Sequence, residues 1–128
     1  MANDPKNFRI PKDFTLFGHR YTVVMEDELF VKESAYGTAD EDAKRIRIQK
    51  VGIVEKKYPE IKGEPSESVQ VLITDETVIE TFYHELCHII FAALGEEELG
   101  ANEKLVNMMG KSFLELYLSA NYEEEKSR

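Results

Sequence analysis

Thr74-Asp75-Glu76-Thr77-Val78-Ile79-Glu80-Thr81-Phe82-Tyr83-His84-Glu85-Leu86-Cys87-His88-Ile89-Ile90-Phe91-Ala92-Ala93-Leu94-Gly95 is the stretch on which the reading of this chain turns. Thr74, Asp75 and Thr77 are candidate N-caps, Thr77-x-x-Glu80 fits a capping box, and early acidic residues suit a helix N-terminus. Val78, Ile79, Phe82, Leu86, Ile89, Ile90, Phe91, Ala93 and Leu94 cover most of the circumference, which predicts a central, buried helix ending at Gly95. Inside it lies His84-Glu85-Leu86-Cys87-His88, an HExxH sequence. Positions i and i+4 of a helix lie roughly 40° apart and one turn along, so both imidazoles can converge on one cation. Glu85 lies on a neighbouring flank, placed to take a proton from water that the cation acidifies. Two imidazoles and a carboxylate from elsewhere make the His₂Glu set of catalytic zinc. By composition alone HExxH would occur in such a chain roughly once in a hundred. Its place in an apolar helix, where unpartnered His and Glu are costly, raises its weight.

Outward from this helix, Glu96-Glu97-Glu98-Leu99-Gly100 reads as a loop, and a second long helix is expected from near Asn102 to about Ala120. Upstream, Phe14–Phe17 and Arg20–Met25 flank Gly18-His19, a hairpin signal with an expected type II′ turn. Leu29 to Thr38 is a weaker strand candidate. Lys44-Arg45-Ile46-Arg47-Ile48-Gln49 alternates, with both isoleucines facing inward and charges outward. Residues 50–68 read as a surface loop with one helical turn near Val54, and Val69 to Ile73 as a short strand or a helix approach. The fold expected is α+β: a small antiparallel sheet packed on the buried HExxH helix, with a second long C-terminal helix. A single domain is expected over 1–128, with 1–13 a flexible lead-in and 121–128 a flexible tail.

Composition narrows the function. The 128 residues are 42% hydrophobic and 32% charged, enough for one core. No apolar run approaches the roughly 18 residues of a membrane span, and Met1 to Phe8 is polar, so a cytoplasmic location is expected. The net charge is −9, all of it from residues 51–128. Nucleic acid and anionic lipid are therefore poor partners, and basic or flexible protein segments better ones.

Phe82–Ile90, Leu94-Gly95 and Asn102-Glu103-Lys104-Leu105-Val106 together resemble the small gluzincin-type metallopeptidases, in particular compact phage and prophage proteins of the ImmA/IrrE type. The likeness covers roughly residues 14–118, and Gly18, Tyr36-Gly37 and Ile46–Ile48 fit the short sheet before the motif helix. The segment after Glu103 lacks the Ala-Asn-x-Phe-Ala run common in that group. The resemblance implies zinc held by His84, His88 and a downstream Glu, with Glu85 as catalytic base. Glu103 is the favoured third ligand. A second helix starting near Glu97 would bring it to the level of His88, and so would one starting at Asn102 after a loop from Gly95 to Ala101 that folds back, whereas Glu115 lies about 18 Å further along. A later start with no fold-back would put Asn107 there instead, and a neutral amide is a poorer zinc ligand. Glu96, Glu97 and Glu98 are the alternatives.

Of the remaining candidates, Tyr36 could face the cleft from a neighbouring strand, bind substrate and donate to a developing oxyanion. Tyr83 points the wrong way by helix phase. Cys87 reads as a small core residue and His19 as a hairpin-tip residue. Lys44, Arg45, Arg47 and Lys50 read as edge-strand protection. The function expected is a zinc-dependent peptidase. The competing expectation is a zinc-stabilised binding module of a phage assembly or repressor-control system, with the same metal site and no turnover.

Overall fold

The computed structural model describes residues 3–26, 36–49, 51–56 and 67–121. Strands β1 (Asp13–Leu16) and β2 (His19–Met25) form the expected hairpin, followed by β3 (Gly37–Asp40) and β4 (Arg45–Ile48). The sheet order is β1-β2-β4-β3. β1–β2 and β3–β4 are antiparallel, but β2 and β4 run parallel, with Val23 opposite Ile46 and Met25 opposite Ile48. The sheet is therefore mixed rather than wholly antiparallel, because the chain leaves β2, lays down β3 at the edge and returns through β4 between them. Ile46 and Ile48 are fully buried, as their alternation predicted. The basic residues beside them do not protect an edge, since β4 is internal. Lys44 pairs with Glu41 and Arg47 with Glu26, while Lys50 lies outside the described residues.

The hairpin turn also differs from expectation. Its two loop residues are Phe17 and Gly18, at φ 51° and 79°, which is the type I′ pattern. This register sets Phe14 opposite Tyr21, and their rings stack 5.5 Å apart. That cross-strand contact outweighs the strain of a left-handed Phe17.

Residues read as loop contain β5 (Val51–Lys56), which pairs antiparallel with β6 (Glu67–Leu72) as a separate two-stranded sheet. β-branched Val51, Ile53 and Val54 outweigh the Gly and Lys that suggested a loop. The helical turn near Val54 is thus a strand, and Val69–Leu72 belongs to β6.

Helix α1 (Asp75–Ala93) begins at Thr74, whose Oγ1 accepts the Thr77 backbone N–H at 3.2 Å. The cap lies one turn before the Thr77–Glu80 box. At the other end Gly95 N–H reaches the Ala92 carbonyl and Glu96 N–H the Phe91 carbonyl, a Schellman stop. The short α2 (Glu97–Ala101) occupies the expected loop. Asn102 then caps α3 (Glu103–Ser119), its side chain accepting Leu105 N–H at 3.1 Å. The architecture is α+β. The core joins Tyr21, Ile46 and Ile48 of the sheet to Val78, Phe82 and Ile89 of α1, with α3 on another face of that helix.

The lead-in is tied down rather than loose. It makes a single 3₁₀ turn at Pro5–Asn7, and Asn3 Nδ2 donates to the Ala120 carbonyl at 2.9 Å. Phe8 packs edge-on to Tyr83 and Tyr117. The tail beyond Asn121 lies outside the described residues, as do most of Leu29–Thr38. Among the described residues no helix is long and apolar enough to cross a membrane.

Candidate metal centre

One turn of α1 separates His84 from His88, and their Nε2 atoms lie 3.2 Å apart. The loop through α2 folds the chain back so that the capped first turn of α3 arrives at the same level. Glu103 Oε2 lies 3.3 Å from His84 Nε2, and Glu103 Oε1 lies 3.1 Å from His88 Nε2. Two imidazole nitrogens and a carboxylate therefore converge on one point and could hold a metal ion. The spacing suits one. Donors about 2.0–2.2 Å from a tetrahedral cation stand roughly 3.3–3.6 Å from one another, and the observed edges fall at or just under that range. Both imidazoles are half-buried, while Glu103 is 62% exposed. The cluster is thus fixed from the α1 side and open on the other.

Glu85 is the buried member of the motif, 7% exposed. Its Oε1 is 3.8 Å from His84 Nε2, beside the cluster and too far for a hydrogen bond. Burial, reinforced by the Glu103 carboxylate, pushes its pKa up to about 7. Burial and the neighbouring His88 hold the His84 pKa below its usual value, opposed by Glu103, by a hydrogen bond that His84 donates to Asn107 and by Glu80. A neutral imidazole is the form that ligates metal.

Two cavities open on either side of Glu85. One, of about 440 Å³, is lined by Ala39, Glu41, His88, Ile89, Ala92 and Glu96 among others. The second, of about 400 Å³, is lined by Tyr36, Gly37, Thr77, Thr81, His84 and Asn107 among others. Tyr36, 44% exposed, thus stands in the wall of the same cleft as His84 and Glu85.

The other sequence candidates lie outside the His84–His88–Glu103 cluster. Glu96, Glu97 and Glu98 are exposed on the turn and short helix and are not part of the three-residue cluster. Cys87 is buried, which raises its thiol pKa. Tyr83 packs among Phe8, Phe82 and Phe113. His19 is exposed at the start of β2.

Three residues shape the site in ways the sequence reading did not assign. Asn107, which bonds His84, stands four residues after Glu103 on the same face of α3, a signal present in the sequence. Gly37 entered only through the resemblance in the sheet, and Gly110 carried no local signal. A Cβ on Gly37 would collide with Thr81 and come within 3.2 Å of Glu85 Cγ, and one on Gly110 would come within 3.1 Å of the Glu80 carbonyl oxygen and 3.4 Å of His84 N. β3 and α3 thus press on α1 at the two points that carry Glu85 and His84.

Comparison of the chain with protein-family models, curated proteins and solved structures finds no match.

Proposed function

We propose that the chain is a zinc-dependent peptidase of the gluzincin kind, with His84, His88 and Glu103 as ligands and Glu85 as general base. The observation that carries this reading is a His₂Glu donor set beside a buried carboxylate in an open cleft. A His₂Glu set is one that catalytic zinc uses. Zinc held there would acidify water and polarise a carbonyl. Glu85 would take a proton from that water on a carboxylate oxygen and deliver it to the departing amine. Its pKa of about 7 without metal means that an adjacent cation, which lowers it, leaves the carboxylate ionised at neutral pH. Asn107 would hold the His84 ring, and Tyr36 would contact the substrate from the cavity wall. β3 is an edge strand of its sheet among the described residues, and it contributes Gly37 and Ala39 to the two cavities. An extended peptide laid along it would cross Glu85 from one cavity to the other.

The test begins with elemental analysis of protein purified without added metal, for which roughly one zinc per chain is expected. Glu85→Gln should retain the metal and lose hydrolysis of a broad peptide library. Glu103→Ala should weaken zinc binding by orders of magnitude, while Glu96→Ala, Glu97→Ala and Glu98→Ala change it little. Folded protein that takes up no metal on reconstitution would sink the reading. A wild type that binds zinc and peptides but cleaves none would favour the binding module.

A further inference from the structure

The two cavities flanking Glu85 differ in charge. The Tyr36 side is walled mainly by neutral polar groups, with Glu80 its one other carboxylate. On the His88 side, the cavity of about 440 Å³ has small or apolar lining at Ala39, Ile89, Ala92 and Gly100, and carboxylates at Glu41, Glu96 and Glu97. Glu41 is already engaged, accepting Tyr21 Oη–H at 3.0 Å and Lys44 Nζ–H at 2.7 Å. Glu96 and Glu97 are exposed, and their side chains have no hydrogen bond or ion pair among the described residues. They stand at the C-terminal end of α1, whose last turn carries no basic residue, so the helix dipole adds to their negative field. Glu85 also lines this cavity, 7% exposed.

An apolar channel with an anionic mouth suits a side chain with a long aliphatic stem and a cationic head. The stem lies against Ala39, Ile89 and Ala92, and the head reaches the mouth carboxylates. We infer that this cavity takes a lysine or arginine side chain of the bound peptide, with Glu96 and Glu97 as the groups that select it. The inference rests on the peptidase reading for what the peptide is doing there, and it names the class of substrate.

Peptide binding and peptide cleavage test the two separately. Binding is measured by fluorescence anisotropy on the full zinc-loaded chain carrying Glu85→Gln. The probes are labelled peptides in which one residue is Lys, Arg, norleucine or Glu. The Lys and Arg peptides should bind about tenfold or more tightly than the norleucine peptide, which keeps the stem and drops the charge. Added Glu96→Gln and Glu97→Gln should remove most of that advantage and leave norleucine binding and zinc content as they were. Equal binding of Lys and norleucine peptides, or an advantage that survives both substitutions, would overturn the inference. A wild-type cleavage map indifferent to basic residues would overturn it too, and leave the peptidase standing. Selective binding of basic peptides by a wild type that cleaves none would keep the cavity assignment and overturn the peptidase.

Discussion

Glu85 carries two demands that pull against each other. It is buried where α1 meets β3, which disfavours its charge, and it stands beside a cluster where a cation would favour that charge. In metal-free protein only the first acts, so its folded pKa is about 7 against an ordinary 4.5. Between those values the folded chain retains a proton that the unfolded chain has released. The stability tied to this group is complete below the unfolded value and is lost as pH rises through the folded one. His84 behaves oppositely, since its folded pKa lies below 6.5 and its contribution is lost as pH falls. Glu85→Gln removes only the first effect. In the presence of a chelator, the melting temperature of the wild type should therefore fall relative to Glu85→Gln as pH is raised from about 4.5 to about 7. Melting curves that stay parallel across that window would show that Glu85 is solvated in the folded protein. At this scale much of the candidate site was legible, because helix period alone relates His84 to His88 and the second helix was expected to start near Asn102, just before Glu103. The burial of Glu85 was not, since it depends on Gly37 of a strand distant in sequence.

Between elements, the critical dimension is the separation of α1 and α3. Gly110 sits at their contact, where an added Cβ would meet the Glu80 carbonyl oxygen at 3.1 Å and His84 Cβ at 3.5 Å. Alanine in a helix interior is ordinarily about 1 kcal/mol better than glycine. Here its methyl group would push α3 away from His84 by a few tenths of an ångström. Glu103 rides on the same helix, two turns earlier, and its carboxylate would withdraw from both imidazoles. Gly110→Ala is therefore expected to lose on the order of tenfold in zinc affinity, with no gain in the stability of the metal-free protein. Titration against a competing chelator, beside thermal unfolding of the apo form, reads both quantities. Unchanged affinity with raised stability would mean that the helices have slack at this point. Interhelix contact of this kind leaves no periodic mark in the sequence, which is why Gly110 went unread. The same applies to β2 beside β4, because alternation fixes which face of a strand is buried but not which strand lies next to it. The β5 segment was missed for a local reason, its branched residues lying in a charged, Gly- and Pro-rich surrounding.

Across the whole molecule, the candidate site belongs to one of two parts that the hydrogen-bond ladders keep distinct. α1, α3 and the four-stranded sheet form the core, and the lead-in closes on α3 through Asn3 and through Phe8 against Tyr117. β5 and β6 pair only with each other within the described ladders. A lone two-stranded sheet is marginal in water, so its amides should exchange through local opening, whereas those of α1 exchange only when the core unfolds. A metal ion bridging His84 and His88 of α1 to Glu103 of α3 stabilises only states in which the two helices meet. At a free concentration of about a hundred times its dissociation constant it contributes roughly 2.7 kcal/mol, or about a hundredfold in protection. Hydrogen exchange with zinc and then with chelator should accordingly show strong metal-dependent slowing in α1 and α3, and little change in β5 and β6. Equal slowing in β5 and β6 would mean that this hairpin opens only with the core. Absence of slowing in α1 and α3 would remove the metal from between them, since no ion can bind three ligands on two helices without opposing their separation.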